Sequence, residues 1–330
     1  MKKKWAVLSH IAPILLALQL PGAIPTPPIK PQERSLPSIF SQFLAPPGKA
    51  NHIKEPGRIV CDPESKETYV ADLGNNRILI FDSNNVFRFQ FFCNGHVNSP
   101  MDLAVTNEGT IFAMGNNNEG RRIVKFDFDG LHLKTFYLNS ILGSSASEIT
   151  SMASGNDGKL YLLDPTFHQI LVIDTGGKFI RKFAISKLLE EKDKQELVYG
   201  SMTLKDSSIY IPLSTVGTIS VYALNGHFLK NIGNKGTTMG ELNFPFEVSI
   251  SQAGIIHVVD KDRFNVVCFN QAGKFIGEFG GKGYSPGWFY YPEHIAVNFK
   301  NQIIIGQVMN NLVQVCLPPP FLQSDTAQKN

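Results

Sequence analysis

The sequence has little charge of either sign and little cysteine. Its 330 residues include 31 Lys and Arg, 28 Asp and Glu, and 4 Cys, which leaves a formal net charge of +3. Nucleic-acid binding needs a concentrated basic surface, so a composition this balanced argues against it. The length and the hydrophobic fraction of 43% are those expected for one globular domain.

Sequence strings that mark common chemistries are also missing. No P-loop, GxSxG elbow, HExxH string or Cys–His pair occurs, and without CxxCH covalently attached haem is excluded. Cys61 and Cys93 are expected on nonadjacent strands of one repeat, and Cys268 and Cys316 on different repeats. Those separations predict no disulfide. No motif identifies a catalytic residue or a resident cofactor.

What the sequence does contain is a repeat built from short strands. Five segments share a turn followed by an alternation of apolar residues, and they end at Phe91, Phe136, Phe183, Ile232 and Phe279. Their spacing of about 45 to 49 residues is typical of propeller blades. The first unit, residues 58–91, contains four strand-like segments: Ile59–Cys61, Thr68–Ala71, Arg77–Phe81 and Val86–Phe91.

The repeat predicts an all-β fold, a six-bladed β-propeller with four antiparallel strands in each blade. One blade cannot bury both faces of its sheet, whereas radial stacking buries them between neighbours. The sixth unit starts at His294 and stops at prolines 318–320 without a fourth strand. The segment Ser38–Phe43 is similar to a fourth strand. We expect it to pair with Leu312–Cys316 and to close the propeller.

The string YVADLGNNRILIFD, residues 69–82, resembles the core of an NHL repeat. The glycine-rich linkers 233–245 and 280–292 are similar to the connections of that family, and the resemblance covers about 36–317. Blade four departs from the pattern, because Pro212 stands where an alanine is expected. The resemblance implies a six-bladed propeller that acts as a binding platform, since most members bind partners and a few related scaffolds are enzymes.

Both ends of the chain are predicted to lie outside the propeller at 36–317. Residues 1–23 have the lysines and apolar stretch of a signal peptide, and 5–20 would be a membrane anchor if cleavage does not occur. Residues 24–35 are predicted to form a Pro-rich linker and 318–330 a disordered tail. The signal predicts an exported protein, periplasmic or extracellular.

One position in each blade is the best candidate for a functional site. The first strand of a blade lines the central channel, and alignment of the six units places these residues at one channel mouth: Arg58, Asp102, Ser151, Ser201, Glu247 and His294. In one interpretation the charges neutralise each other in a solvated mouth, with Arg58 beside Asp102. In the other, the mouth is a polar pocket. There Asp102, Glu247 and His294 would bind calcium or zinc, or Glu247 and His294 would act as acid and base.

The loop 284–291 is rich in aromatic residues. By the NHL pattern Phe289 is expected to be a buried plug, while Trp288, Tyr290 and Tyr291 are expected to be partly exposed on the face of the channel mouth. Exposed aromatic side chains are common anchors of protein interfaces. Simple packing between blades five and six is the alternative.

These features predict an exported, monomeric scaffold that binds a protein or a cell-envelope component through its loop-bearing face, and no nucleic acid. The alternative is a metal-assisted lyase or hydrolase with its site at the channel mouth. The absence of a catalytic motif favours the scaffold over the enzyme.

Overall fold

Six four-stranded antiparallel sheets make up the structure and form the blades of a β-propeller. It is a computed structural model that describes residues 38–48, 51–93, 95–117, 120–138, 141, 148–185 and 196–323. The predicted fold class is confirmed. The predicted signal peptide, the Pro-rich linker and residues 324–330 lie outside the described residues.

The strands are numbered in chain order, starting with β1 (Ile39–Phe43). Blade one comprises β2 (Pro56–Cys61), β3 (Thr68–Asp72), β4 (Arg77–Phe81) and β5 (Phe87–Phe92). Blade two comprises β6 (Asn98–Val105), β7 (Ile111–Asn117), β8 (Gly120–Phe126) and β9 (His132–Tyr137). Blade three comprises β10 (Ser151–Ser154), β11 (Lys159–Asp164), β12 (Gln169–Asp174) and β13 (Phe179–Ala184).

The second half of the chain repeats this order. Blade four comprises β14 (Thr203–Lys205), β15 (Ser208–Leu213), β16 (Thr218–Ala223) and β17 (Phe228–Ile232). Blade five comprises β18 (Pro245–Ile250), β19 (Ile256–Asp260), β20 (Asn265–Phe269) and β21 (Phe275–Gly280). Blade six comprises β22 (Pro292–Val297), β23 (Ile303–Gln307), β24 (Leu312–Leu317) and, as its outermost strand, β1.

The start of the described chain therefore closes the propeller. Strand β1 runs antiparallel to β24, with Phe40 opposite Cys316. The backbone N–H of Ser38 donates to the carbonyl oxygen of Gly287 at 2.9 Å, which ties the strand to the loop between blades five and six. The predicted pairing of the 38–43 segment with the last blade is confirmed.

Apolar side chains at alternate positions pack against different neighbours. In β4, Ile78 and Ile80 pack against blade two, whereas Leu79 and Phe81 pack against blade six. This follows from the strand period of two, which points successive side chains to opposite faces of a sheet. Each such buried side chain contributes roughly 2 kcal/mol, so the contacts between blades hold the propeller together.

Blade four has the shortest first strand of the described blades. Strand β14 has three residues, and its ladder with β15 runs only from Thr203 opposite Tyr210 to Lys205 opposite Ser208. Pro212 lies further along β15 and cannot donate a ladder hydrogen bond. The departure of this blade from the repeat pattern therefore has a structural consequence, a shortened ladder.

The prediction of a disordered tail at 318–330 is wrong for its first residues. A short helix, α1 (Pro320–Gln323), places Leu322 in the core of the last two blades. The ring of Phe321 lies over Gly277, where a Cβ would come within 2.7 Å of it. Burial of these apolar side chains offsets the entropy lost on ordering. Within the described ranges, no helix has the length and apolar character needed to cross a membrane.

The four cysteines are free thiols. Burial raises the pKa of Cys61 and of Cys93 to about 12 and that of Cys316 to about 11. Burial also raises the pKa of Cys268. The thiolate is the reactive form of cysteine, and a raised pKa keeps the thiol protonated. All four cysteines are therefore unreactive at neutral pH.

Candidate functional site

The six predicted channel residues, called the channel cluster from here on, lie where the innermost strands begin. The ladder between first and second strands shifts register at or just before Arg58, Asp102, Glu247 and His294. A β-bulge of this kind changes the direction of a side chain. In these four blades a proline, which cannot donate to a ladder, stands two residues earlier: Pro56, Pro100, Pro245 and Pro292.

Arg58 spans the channel. Its Nη2 donates to the carbonyl oxygen of Met202 at 3.0 Å and to the hydroxyl of Thr203 at 3.1 Å. Both belong to blade four, which lies opposite blade one in a six-bladed propeller. Nη1 lies 3.2 Å from Oε1 of Glu247, and Nε lies 3.8 Å from Oδ1 of Asp102. The guanidinium therefore sits between two carboxylates and closes this end of the channel.

Other members of the cluster connect neighbouring blades. Oδ2 of Asp102 accepts the backbone N–H of Met152 in blade three at 2.7 Å. The hydroxyl of Ser151 accepts the N–H of Met202 in blade four at 2.9 Å. Ser201 pairs through its backbone with the first strand of blade five. These contacts use backbone groups on the free inner edges of the strands, which have no ladder partner.

Glu247 and His294 form a direct pair. Nδ1 of His294 lies 2.8 Å from Oε2 of Glu247. Both are buried, and so are Arg58 and Asp102, whose exposed fractions are 7% and 3%. Burial raises the pKa of Asp102, while the neighbouring guanidinium of Arg58 opposes that shift. The expected pairing of Arg58 with Asp102 is present, but the expectation of a solvated mouth is wrong, because the side chains fill it.

The geometry of the cluster fits a metal ion poorly. Among the described residues, no group of three or more His, Cys, Asp or Glu side chains could hold one. The position between Asp102 and Glu247 that a cation would take is filled by the guanidinium of Arg58. A metal site needs converging ligands and, for catalysis, an open coordination position.

A second cluster joins the connection between blades five and six to the turn between β19 and β20 of blade five. The ring centroids of Tyr284 and Tyr290 are 4.5 Å apart, and those of Tyr290 and Tyr291 are 4.9 Å apart. Phe264 lies 5.0 Å from Tyr291, with Nζ of Lys282 5.3 Å from its centroid. We call the four aromatic residues the aromatic patch. Tyr284 is 68% exposed, and the other three are half-buried.

Two residues of the aromatic patch have an unusual backbone. Phe264 has φ of 57° and Tyr291 has φ of 46°, a region that bulky residues rarely adopt. The residue just before the third strand also has positive φ in other blades, where it is Asn76, His168, Gly217 and Asn311. Sequence reasoning missed Phe264. The signal that could have found it is a phenylalanine at a turn position that elsewhere holds Asn, His or Gly.

Buried neighbours hold the patch in place. The backbone N–H of Tyr290 donates to Oε1 of Gln307 at 2.7 Å, and Gln307 is buried at the end of β23. Phe289 is fully buried against Phe279, which confirms the predicted plug. Trp288 is half-buried, and in the described chain it makes none of the ring contacts of the patch. The structure thus groups Tyr290 and Tyr291 with residues other than Trp288.

No protein-family model and no curated protein matches the chain. Among solved structures it is similar to a protein of unknown function from Bacteroides thetaiotaomicron, at 11% identity and a TM-score of 0.63 over 84% of this chain and 72% of that one. It is also similar to a streptogramin B lyase, at 12% identity and a TM-score of 0.57 over 85% of this chain and 98% of that one. A third similar structure is a catalytically inactive virginiamycin B lyase from Staphylococcus aureus with quinupristin. Its identity is 15% and its TM-score 0.55, over 83% of this chain and 87% of that one. At these identities the likeness extends to the fold: the chain is a six-bladed β-propeller.

Proposed function

We propose that this protein is an exported, monomeric propeller of the NHL type that binds a partner protein of the cell envelope through the aromatic patch. The observation that carries the proposal is the patch itself, in which the ring of Tyr290 contacts the other three aromatic rings and Tyr284 is exposed. Tyrosine and phenylalanine supply large contact areas at a low cost in side-chain entropy. The adjacent Lys282 adds a cation for an acidic group at the edge of the interface.

The backbone of the patch supports the same proposal. Positive φ at Phe264 and Tyr291 costs about 1 to 3 kcal/mol each and persists only where the surroundings enforce it. Such outliers cluster at binding and catalytic sites. Since the hydrogen bond from Tyr290 to Gln307 fixes the loop, the patch is ordered before any partner arrives. A preordered surface binds at a lower entropic cost.

Photo-crosslinking tests this proposal directly. Benzoylphenylalanine replaces Tyr284 in one variant and Tyr137 in another, and each is expressed in the native cells. Tyr137 is a matched control, because it is a tyrosine 49% exposed on the outermost strand of blade two. We expect a discrete crosslinked protein from position 284 and none of that mass from position 137. Identical products from both positions, or none from 284, would contradict the proposal.

Export is tested on the same samples. Cleavage of the proposed signal leaves a mature chain that begins at Ile24, which N-terminal sequencing detects. A chain that retains residues 1–23 and sediments with membranes would instead support the anchor.

A metal-assisted lyase or hydrolase is the second candidate. The observation in its favour is the pair of Glu247 and His294 at 2.8 Å, a carboxylate and an imidazole of the kind that transfers protons. Two of the similar structures are also lyases. Elemental analysis decides: stoichiometric zinc or calcium that is lost in both Glu247→Ala and His294→Ala would support this candidate. Metal-free purified protein that stays metal-free after incubation with either ion would remove it.

A further inference from the structure

The channel is open at the end away from Arg58. A pocket of about 240 Å³ extends from Arg58 and Glu247 to the turns between first and second strands. Those turns form its rim, with Asp62, Asn107, Asn156, Asp206, Gln252 and Asn298. We call this space the central pocket. Each first strand begins at the loop-bearing face, where the connections between blades and the aromatic patch lie, and ends at these turns. The pocket therefore opens on the opposite, turn-bearing face.

The floor of the central pocket carries one unused hydrogen-bond donor. Nη1 of Arg58 forms an ion pair with Glu247 at 3.2 Å, whereas Nε is buried, lies 3.8 Å from the carboxylate of Asp102 and has no hydrogen-bond partner among the described residues. The side chain is more than nine-tenths buried and lines the pocket. Buried donors are nearly always matched by an acceptor, since leaving one unmatched costs free energy. The pocket is the space from which an acceptor can reach Nε.

A second cation lines the same wall. Lys205 lies on β14, two residues beyond Thr203, whose hydroxyl accepts a hydrogen bond from Arg58. Two residues of strand span about 7 Å toward the opening. Within the described ranges, Lys205 has neither a salt bridge nor a side-chain hydrogen bond. The pocket therefore has one cation at its floor and another part of the way up its wall.

The acidic residues that line the pocket are engaged elsewhere or stand at the rim. Glu247 contacts His294 through Oε2 and Arg58 through Oε1. The carboxylate of Asp62 accepts two backbone N–H groups of its own turn, at 3.1 Å each. Asp206 is exposed at the rim. Among the described residues of the wall and floor, Nε of Arg58 and the ammonium of Lys205 thus remain as cationic donors without a hydrogen-bond partner.

We propose that the central pocket binds a small dicarboxylate, with one carboxylate on Arg58 and the other on Lys205. Carboxylates form strong charge-assisted hydrogen bonds with both cations. A volume of about 240 Å³ lies below that of sites for drug-sized ligands, which limits the ligand to a few carbon atoms.

Calorimetric titration of the purified protein with succinate tests this assignment. We expect one succinate per chain, and no binding of succinamide, which keeps the shape but lacks the charge. Lys205→Ala is expected to weaken succinate binding at least tenfold. Lys274→Ala is the matched control and should stay within twofold of wild type, because Lys274 is an exposed lysine on an outer turn of the same face. Unfolding curves of both variants check that they fold.

Three outcomes overturn the proposal: no succinate binding by wild type, equal affinity in Lys205→Ala, or equal binding of succinamide. A parallel titration with inorganic phosphate separates the sources of anionic oxygen, and phosphate binding tighter than succinate would also overturn it. Crosslinking at position 284 reports on the opposite face. Failure of the pocket assignment is therefore distinguishable from failure of the proposed function.

Discussion

Arg58 determines what the loop-bearing end of the channel can do. Its guanidinium joins blade one to blade four across the channel and separates the carboxylates of Asp102 and Glu247. Alignment of the repeats predicted that these residues share one level. It could not predict that Arg58 reaches the opposite blade, because that contact depends on the width of the closed channel. The same alignment gave no information on the burial of these side chains. Because they are buried, the channel mouth is not solvated as one interpretation of the sequence expected.

The first prediction concerns this arginine. Arg58→Met should lower the free energy of unfolding by about 3 to 5 kcal/mol, because it leaves two carboxylates buried without their cation. Chemical denaturation at neutral pH measures the change. Addition of Glu247→Gln to this variant should recover part of the loss, since one uncompensated charge is removed.

Arg88→Met is the matched control for that variant. Arg88 also contacts a glutamate, Glu67, but its side chain is 63% exposed. Surface pairs of this kind contribute at most about 1 kcal/mol. Equal losses in Arg58→Met and Arg88→Met would show that Arg58 does not support the propeller as described.

The second prediction concerns a buried histidine. Burial lowers the pKa of His257 from 6.5 to about 4, so between these values the unfolded chain binds a proton that the folded chain excludes. Stability is therefore lost as the pH falls from about 6.5 to 4, by roughly 3 kcal/mol from this group. His257→Gln should lose less stability over the same range in urea titrations. A slope identical to that of wild type would contradict the assignment.

At the scale of elements, the strands follow from sequence more closely than the site does. Alternating apolar residues and turn pairs specify the blades, and the missing fourth strand of blade six predicts the role of β1. Phe264 was missed because it is separated from the loop 284–291 in sequence, and only the closed blade brings the two together. Long-range juxtaposition of this kind leaves no periodic signal in the chain.

The third prediction tests the register of β1. Phe40 lies opposite Cys316 on β24, and directly opposed residues of an antiparallel pair lie within the separation that a disulfide needs. Phe40→Cys should form a disulfide with Cys316 under oxidising conditions and raise the melting temperature relative to the reduced sample. Gel mobility without reductant and thermal melts report both effects.

Ile39→Cys is the control for that variant, since its side chain points to the other face of the sheet. A disulfide from position 39 in preference to position 40 would show that the strand pairs in another register.

At the scale of the whole molecule, the two faces of the propeller differ in chemistry. The loop-bearing face carries aromatic residues with positive φ and the buried channel cluster, and the turn-bearing face carries an open polar pocket. The proposed partner therefore contacts the surface of the first face and does not enter the channel. Substitutions in the channel cluster that preserve folding should leave partner binding unchanged.

The most direct test of this account compares crosslinking from position 284 in two backgrounds. Phe264→Asn places a residue tolerant of positive φ in the turn and should keep the free energy of unfolding within about 1 kcal/mol of wild type, because relief of strain offsets lost ring contacts. His294→Asn removes the imidazole of the channel cluster. The account predicts that the crosslinked product falls severalfold in Phe264→Asn and persists in His294→Asn. Loss in His294→Asn with full retention in Phe264→Asn would contradict it.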